Sequence, residues 1–270
     1  MNCKIISDSS SNIFALDGVD YTYVPLKIIS SEKEYVDTPD LDVDGMIEDL
    51  KKIKTPTSTS CPNAQEWSDA FADAACAFAV TISGNLSGSC SAATQAAKEH
   101  GKVFVVDSLS AGAEMQLIIE KLREYIQSGM EYEAICETIK TYQKTTKLIF
   151  CLQSLNNLAR NGRVGMASAK IAGVLGIRVI GKASDEGTLE PQHKCPGERK
   201  ALATIWEDMR KEGYRGGKVR INHCRNEAAA QQLKTTIHQA FPTADVAIVP
   251  CTALCSFYAE EGGLIIGYET

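Results

Sequence analysis

The sequence predicts a two-domain α/β protein, with a mostly parallel N-terminal sheet flanked by helices over residues 1–155 and a C-terminal α+β domain with a mixed sheet over 156–270. Short β runs alternate with helical periods through the first half, the pattern of a parallel sheet covered on its faces. The alternation gives way beyond 155–164 to two β runs, 177–183 and 189–194, joined by Asp185-Glu186-Gly187 as a hairpin. A chain of 270 residues with 44% apolar and 23% charged side chains suits one large globular domain or two modest ones.

The first strand is expected at 3–6, running into Asp8-Ser9-Ser10-Ser11, and a second over 21–28. Val43, Met46, Ile47, Leu50 and Ile53 recur at helical spacing behind acidic capping residues. Residues 55–62, TPTSTSCP, read as a loop, because proline and hydroxyl side chains disfavour both regular structures. Asn63 and Glu66 form a capping-box pattern that opens a helix through Trp67, Ala70 and Phe71. A buried strand at 78–82, the loop SGNLSGS at 83–89 and an Ala-rich helix at 91–98 follow. A strand at 102–106, helices over 111–126 and 132–141, and a strand at 147–152 close the first half. After the boundary come a short helix up to Leu175, the hairpin, and an amphipathic helix over 196–211 with Pro196 in its first turn and Gly213 at its end. Strands at 219–222 and 246–249 flank a helix at 227–240, and a last strand covers 264–268. Right-handed crossovers place the loops after parallel strands on one rim, where such sheets bind ligands.

Composition excludes several function classes. With 28 basic and 34 acidic residues the formal charge is −6, and no basic stripe exists for nucleic acid. No run approaches the ~18 apolar residues of a membrane span. The opening MNCKIISDSS lacks an apolar signal core, so a cytoplasmic location is expected. The ten cysteines include no C-x-x-C pair, which argues against a zinc knuckle or a thioredoxin-like centre. A disulfide framework is disfavoured in a chain long enough to build its own core, so most of the cysteines, Cys76 and Cys151 among them, are expected to be buried neutral thiols. No metal is expected, because no histidine pair has ligand spacing, and no Walker or Rossmann loop is present. Ser87 lacks the G-x-S-x-G elbow of a serine nucleophile.

What stands out instead is a set of hydroxyl-rich loops after the strands: Asp8 to Ser11, Ser83 to Ser89, and Asp107-Ser108-Leu109-Ser110, with Thr57 to Ser60 nearby. A rim of neutral donors suits a carboxylate or phosphate, although each loop taken singly also fits ordinary caps and turns. These segments resemble the DegV family of fatty-acid-binding proteins, nearly end to end. Ser7-Asp8-Ser9-Ser10 looks like T-D-S-S, Val24-Pro25-Leu26 like V-P-L, Thr59-Ser60-Cys61-Pro62 like T-S-Q-P, and Ser83 to Ser89 like S-S-x-L-S-G-T. Asn161-Gly162-Arg163 and Glu198-Arg199-Lys200-Ala201 fall in similar segments.

The resemblance implies a protein without catalytic machinery or cofactor that encloses one long-chain fatty acid, such as palmitate, between two domains. It also implies a separate fatty-acid kinase as the partner to which the carboxylate is presented. The implied head-group ligands are Thr59 and Ser87, with Ser60 and Gly88 supplying backbone and Arg163 near the domain junction. Burying a ~16-carbon tail at ~0.8 kcal/mol per methylene could contribute about 10 kcal/mol before ordering costs, so the head group needs only its desolvation offset. Four positions depart from the pattern: Cys61 replaces Gln, Ser89 replaces Thr, Asn161 replaces Gly, and the C-terminal H-x-G-P-G is missing from Ser256 to Gly263, where Phe257 or Tyr258 stands in place of the His. Cys61 motivates an alternative, a thiol-dependent acyl transferase or hydrolase, if a helix N-terminus lowers its pKa. A third reading, a protein-interaction module, predicts an exposed apolar patch and no internal cavity.

Overall fold

A computed structural model of the chain describes residues 3–165 and 176–270. The predicted helix up to Leu175 lies mostly outside the described residues; within them, the short helix α6 covers Asn156–Arg160.

Four parallel strands form the first sheet in the order β2 (Tyr21–Val24), β1 (Lys4–Asp8), β6 (Cys76–Thr81), β7 (Lys102–Asp107). Both faces of β6 are buried. Phe78 and Val80 pack with Ile118 and Leu122 of α4 (Ala113–Gln127) and Ile139 of α5 (Tyr132–Gln143), while Ala77 and Ala79 pack under Trp67 and Phe71 of α2 (Ala64–Phe71) and Ala93 of α3 (Ser89–Ala97). The capping box at Asn63 is formed in both directions, with Asn63 Oδ1 accepting from Gln65 and Glu66 N–H and Glu66 accepting from Asn63 N–H.

The expected strand at 21–28 is divided. Pro25 has no N–H to donate to a ladder, and after it the chain leaves the first sheet to form β3 (Lys27–Ile29), the centre of a three-stranded antiparallel ribbon between β4 (Glu34–Val36) and β5 (Ser58–Ser60). The TPTSTSCP loop is therefore partly regular: Thr59 stands opposite Ile28, and pairing supplies the backbone partners that propensity did not promise. α1 (Val43–Lys52), capped by Asp42, packs Met46 against Ile28 and Tyr35 of this ribbon.

The second sheet is mixed, with the order β10 (Leu189–Pro196), β9 (Ile177–Ala183), β8 (Thr146–Leu152), β13 (Leu264–Glu269), β11 (Val219–His223), β12 (Val246–Pro250). The hairpin β9–β10 is antiparallel as expected. β8, expected to close the first half, pairs with β9 and β13 instead, so the first-half sheet ends at β7 and the boundary near 155 falls after a strand of the second sheet. α7 (Gly197–Lys211) and α8 (Glu227–Ala240) cover one face of that sheet through Ile205, Leu233 and Ile237. The other face, with Leu148, Phe150, Leu152 and Ile265, turns toward the rim of the first sheet.

Buried polar contacts tie the two layers. Asn12 Nδ2 donates to Asn222 Oδ1 at 2.8 Å, Asn222 Nδ2 to Gln116 Oε1 at 3.3 Å, and Arg220 makes two 2.7 Å bonds to Glu120. Cys3 and Cys76, neighbours at the start of β1 and β6, form a disulfide, which corrects the expectation that Cys76 is a free thiol. The remaining eight cysteines are free, and burial pushes the Cys251 and Cys255 thiols well up, as for neutral core groups.

Candidate functional site

The rim loops converge, but most of their hydroxyls are spent on one another. Asp8 is fully buried and accepts from Ile82 N–H at 2.9 Å, Ser89 Oγ at 2.7 Å and Ser10 Oγ. Burial pushes its carboxyl up, and those three donors pull it down. Ser9 Oγ accepts from Leu26 N–H, Ser83 Oγ donates to Gly187 O, and Asp107 accepts from Gly84 and Leu109 N–H. The loops thus build the rim rather than furnish free ligands.

Between rim and second sheet lies a narrow cavity of about 70 Å³. β8 supplies Leu148, Phe150 and Leu152, and β13 supplies Ile265. The rim supplies Ser10, Leu26, Ile82, Leu86, Ser87 and Ala111; Leu158 and Arg163 close one side. The third wall is α9 (Ala253–Ala259), a helix absent from the sequence reading, which presents Leu254, Cys255, Tyr258 and Ala259. Asp37 positions it: the buried carboxyl accepts from Ala253 N–H at 2.8 Å, Leu254 N–H at 3.2 Å and Thr252 Oγ1 at 3.2 Å. Burial pushes Asp37 up to about 6 against these bonds.

Polar groups in this apolar cavity gather at one place. Thr59 Oγ1 and the Tyr258 hydroxyl lie 2.7 Å apart, and Arg163 reaches in beside them, its Nε donating to Leu86 O at 2.9 Å. Burial pushes the Tyr258 phenol up, while Thr59 and the Arg163 charge pull it down. Ser87 also lines the cavity, and its Oγ accepts from Ser89 N–H at 3.3 Å where α3 begins, so the unpaired N–H groups of that first turn lie next to it. Asn161 Nδ2 donates to Thr57 O, which holds the end of α6 against the β5 segment.

Of the residues named from sequence, Thr59, Ser87 and Arg163 line this cavity. Ser60 and Gly88 stand beside it: the Ser60 hydroxyl donates to Cys61 O, and a Cβ on Gly88 would meet Cys61 Sγ at 3.1 Å. Phe257 is elsewhere, packed with Ile28, Tyr35 and Met46 on another side of α9, and its neighbour Tyr258 takes the cavity face. With Tyr258 at the His of H-x-G-P-G, Glu260 and Gly262 fall on the two glycines, and both have positive φ, 54° and 85°. Glu260 holds this unfavourable conformation while its carboxylate accepts from Ser154 Oγ and Asn157 N–H. Cys61 has no histidine to activate it among the cavity's lining residues, and the thiol-enzyme reading has no geometric basis among the described residues.

Comparison with known proteins agrees with this architecture. A family model described as "uncharacterised protein, DegV family" matches residues 2–270. A DegV domain-containing protein of Streptococcus pneumoniae is 40% identical, covering 100% of this chain and 99% of its own. A crystal structure of a DegV family protein from Eubacterium eligens loaded with heptadecanoic acid superposes with a TM-score of 0.97 at 41% identity, over 99% of both chains. The Streptococcus pneumoniae fatty acid kinase (Fak) B3 protein loaded with linoleic acid gives 0.97 at 40% identity, over 100% of this chain and 99% of that one.

Proposed function

The chain belongs to the DegV family, and from that premise we propose that it is a non-catalytic carrier that encloses one long-chain fatty acid between its two sheets and presents the carboxylate to a separate kinase. The observation that carries the reading is the cavity itself: an apolar channel between two layers, with the Thr59 and Tyr258 hydroxyls 2.7 Å apart on its wall and Ser87 and Arg163 also lining it. The tail supplies affinity by burial. Neutral hydroxyls and the first-turn N–H groups of α3 offset desolvation of the carboxylate without locking it in an ion pair, which leaves an oxygen free to attack a phosphoryl donor. Arg163 adds a positive charge at the margin, with its guanidinium committed to Leu86 and Asn161 carbonyls. The relatives loaded with heptadecanoic and linoleic acids, one of them a fatty acid kinase B protein, support the same ligand class and the same kind of partner. The reading places the protein in the cytoplasm, where a kinase has ATP.

Native mass spectrometry of protein purified from bacterial cells tests this directly, and a co-purifying long-chain acid is expected. Absence of such an acid, together with no binding of added palmitate or oleate, defeats the reading. Thr59→Ala combined with Ser87→Ala is expected to weaken binding by about 2–3 kcal/mol, roughly 30- to 150-fold, at one or more kcal/mol per hydrogen bond to a charged group. An unchanged affinity removes the pair from the head-group site.

A further inference from the structure

Polar groups lie beyond the Leu148 end of the cavity's apolar lining. On β8 the residues facing the cavity alternate, Leu152, Phe150 and Leu148, and the next on that face is Thr146, one same-face step of about 7 Å beyond. β13 runs alongside, with Ile265 opposite Phe150 and Gly267 opposite Leu148. A Cβ on Gly267 would lie 2.5 Å from the backbone of Ala113 and Glu114, so the first turn of α4 rests directly on the strand and ends the open space above it. Glu114, only 6% exposed, lies beside this contact, accepting from Ser110 Oγ at 2.5 Å and Thr146 Oγ1 at 2.7 Å. Ala111, the neighbour of Ser110, lines the cavity on the near side. On the far side is a separate polar chamber bounded by Lys140, Lys144, Lys147 and Glu114, and Leu148 borders both spaces.

We propose that Glu114, held by Ser110 and Thr146, is the end wall of the acyl cavity and sets the longest chain the protein admits. The inference rests on the carrier reading above. An apolar plug can yield by a change of rotamer, whereas displacing Glu114 strips a buried carboxyl of two hydrogen bonds that an alkyl tail cannot replace. Each added methylene ordinarily tightens binding about fourfold. At the wall that gain stops and reverses.

Saturated acids from dodecanoic to docosanoic, competed for the delipidated protein and read by native mass spectrometry, test this. Wild type is expected to bind progressively tighter up to one length and at least tenfold weaker beyond it. Glu114→Ala, which joins the cavity to the chamber, is expected to move that ceiling to longer acids. Glu114→Gln, which keeps the side chain's size, is expected to leave it in place, and Ala111→Leu to lower it. A ceiling unmoved in Glu114→Ala overturns the proposal, as does a wild-type affinity that keeps rising through docosanoic acid. Should Glu114→Ala fail to fold, an unmoved ceiling in Ala111→Leu overturns it equally. Wild type that binds no acid of any length overturns the carrier reading itself, a distinguishable result.

Discussion

The hydroxyl of Tyr258 meets Thr59 at 2.7 Å, and both side chains line the cavity. Tyr258→Phe keeps the ring and removes one donor, so palmitate should bind roughly tenfold weaker, about 1.4 kcal/mol, with the melting temperature nearly unchanged. Isothermal titration alongside thermal unfolding checks both halves of that statement. Burial holds the phenol above its ordinary value, so it remains a protonated donor throughout the neutral range, where an imidazole at the same place would titrate. The motifs flanking Thr59 and Ser87 single them out in the sequence, and both side chains line the cavity. Phe257 and Tyr258 are not separable there: neighbouring helical residues point about 100° apart, and only the placement of α9 decides which of them faces the cavity.

α9 was invisible in the sequence because it is seven residues long and its start is capped from far away. Its capping partner, Asp37, lies more than two hundred residues earlier, so no local pattern announces it. The β5 segment escapes local pattern for a related reason, since its regularity comes from pairing with β3 and not from its own residues. The capping box at Asn63, by contrast, is complete within four residues and is therefore legible locally. Asp37 also gives this element a pH signature. Its folded value of about 6 stands above an unfolded value near 3.9, so the folded state binds the proton more tightly. The associated stability is fully present below about pH 4 and is lost as pH rises through about 6. Asp37→Asn cannot ionise, so its stability relative to wild type should rise by about 3 kcal/mol across that window. Urea unfolding of both proteins at a series of pH values measures this, and a constant difference would remove Asp37 as the source.

Across the whole molecule, the order of helices and strands was largely legible, and the partners of the strands were not. β8 reads as apolar on both faces, Leu148, Phe150 and Leu152 on one and Ile149 and Cys151 on the other, so periodicity identifies a buried strand without saying which sheet buries it. The Cys3–Cys76 bond was hidden for the same reason, because it depends on β1 and β6 being neighbours across 73 residues. Thermodynamic linkage follows from the cavity's position between the layers. A ligand held there binds only the folded chain, and at a free concentration one hundred times its dissociation constant it stabilises that chain by about 2.7 kcal/mol, or roughly 5–10 °C in melting temperature. Scanning calorimetry of delipidated and palmitate-loaded protein checks this, and equal melting temperatures would refute it. Because Leu148, Phe150 and Ile265 belong to one layer and Ile82, Leu86 and Ala111 to the other, an acyl chain bound as proposed would serve as an interior segment that the gene does not encode. The empty protein opens more often, and proteolysis in cells tracks the opened population. With such a ligand its lifetime in a cell would be coupled to the supply of lipid, and its abundance would become a record of how much acyl chain has been available.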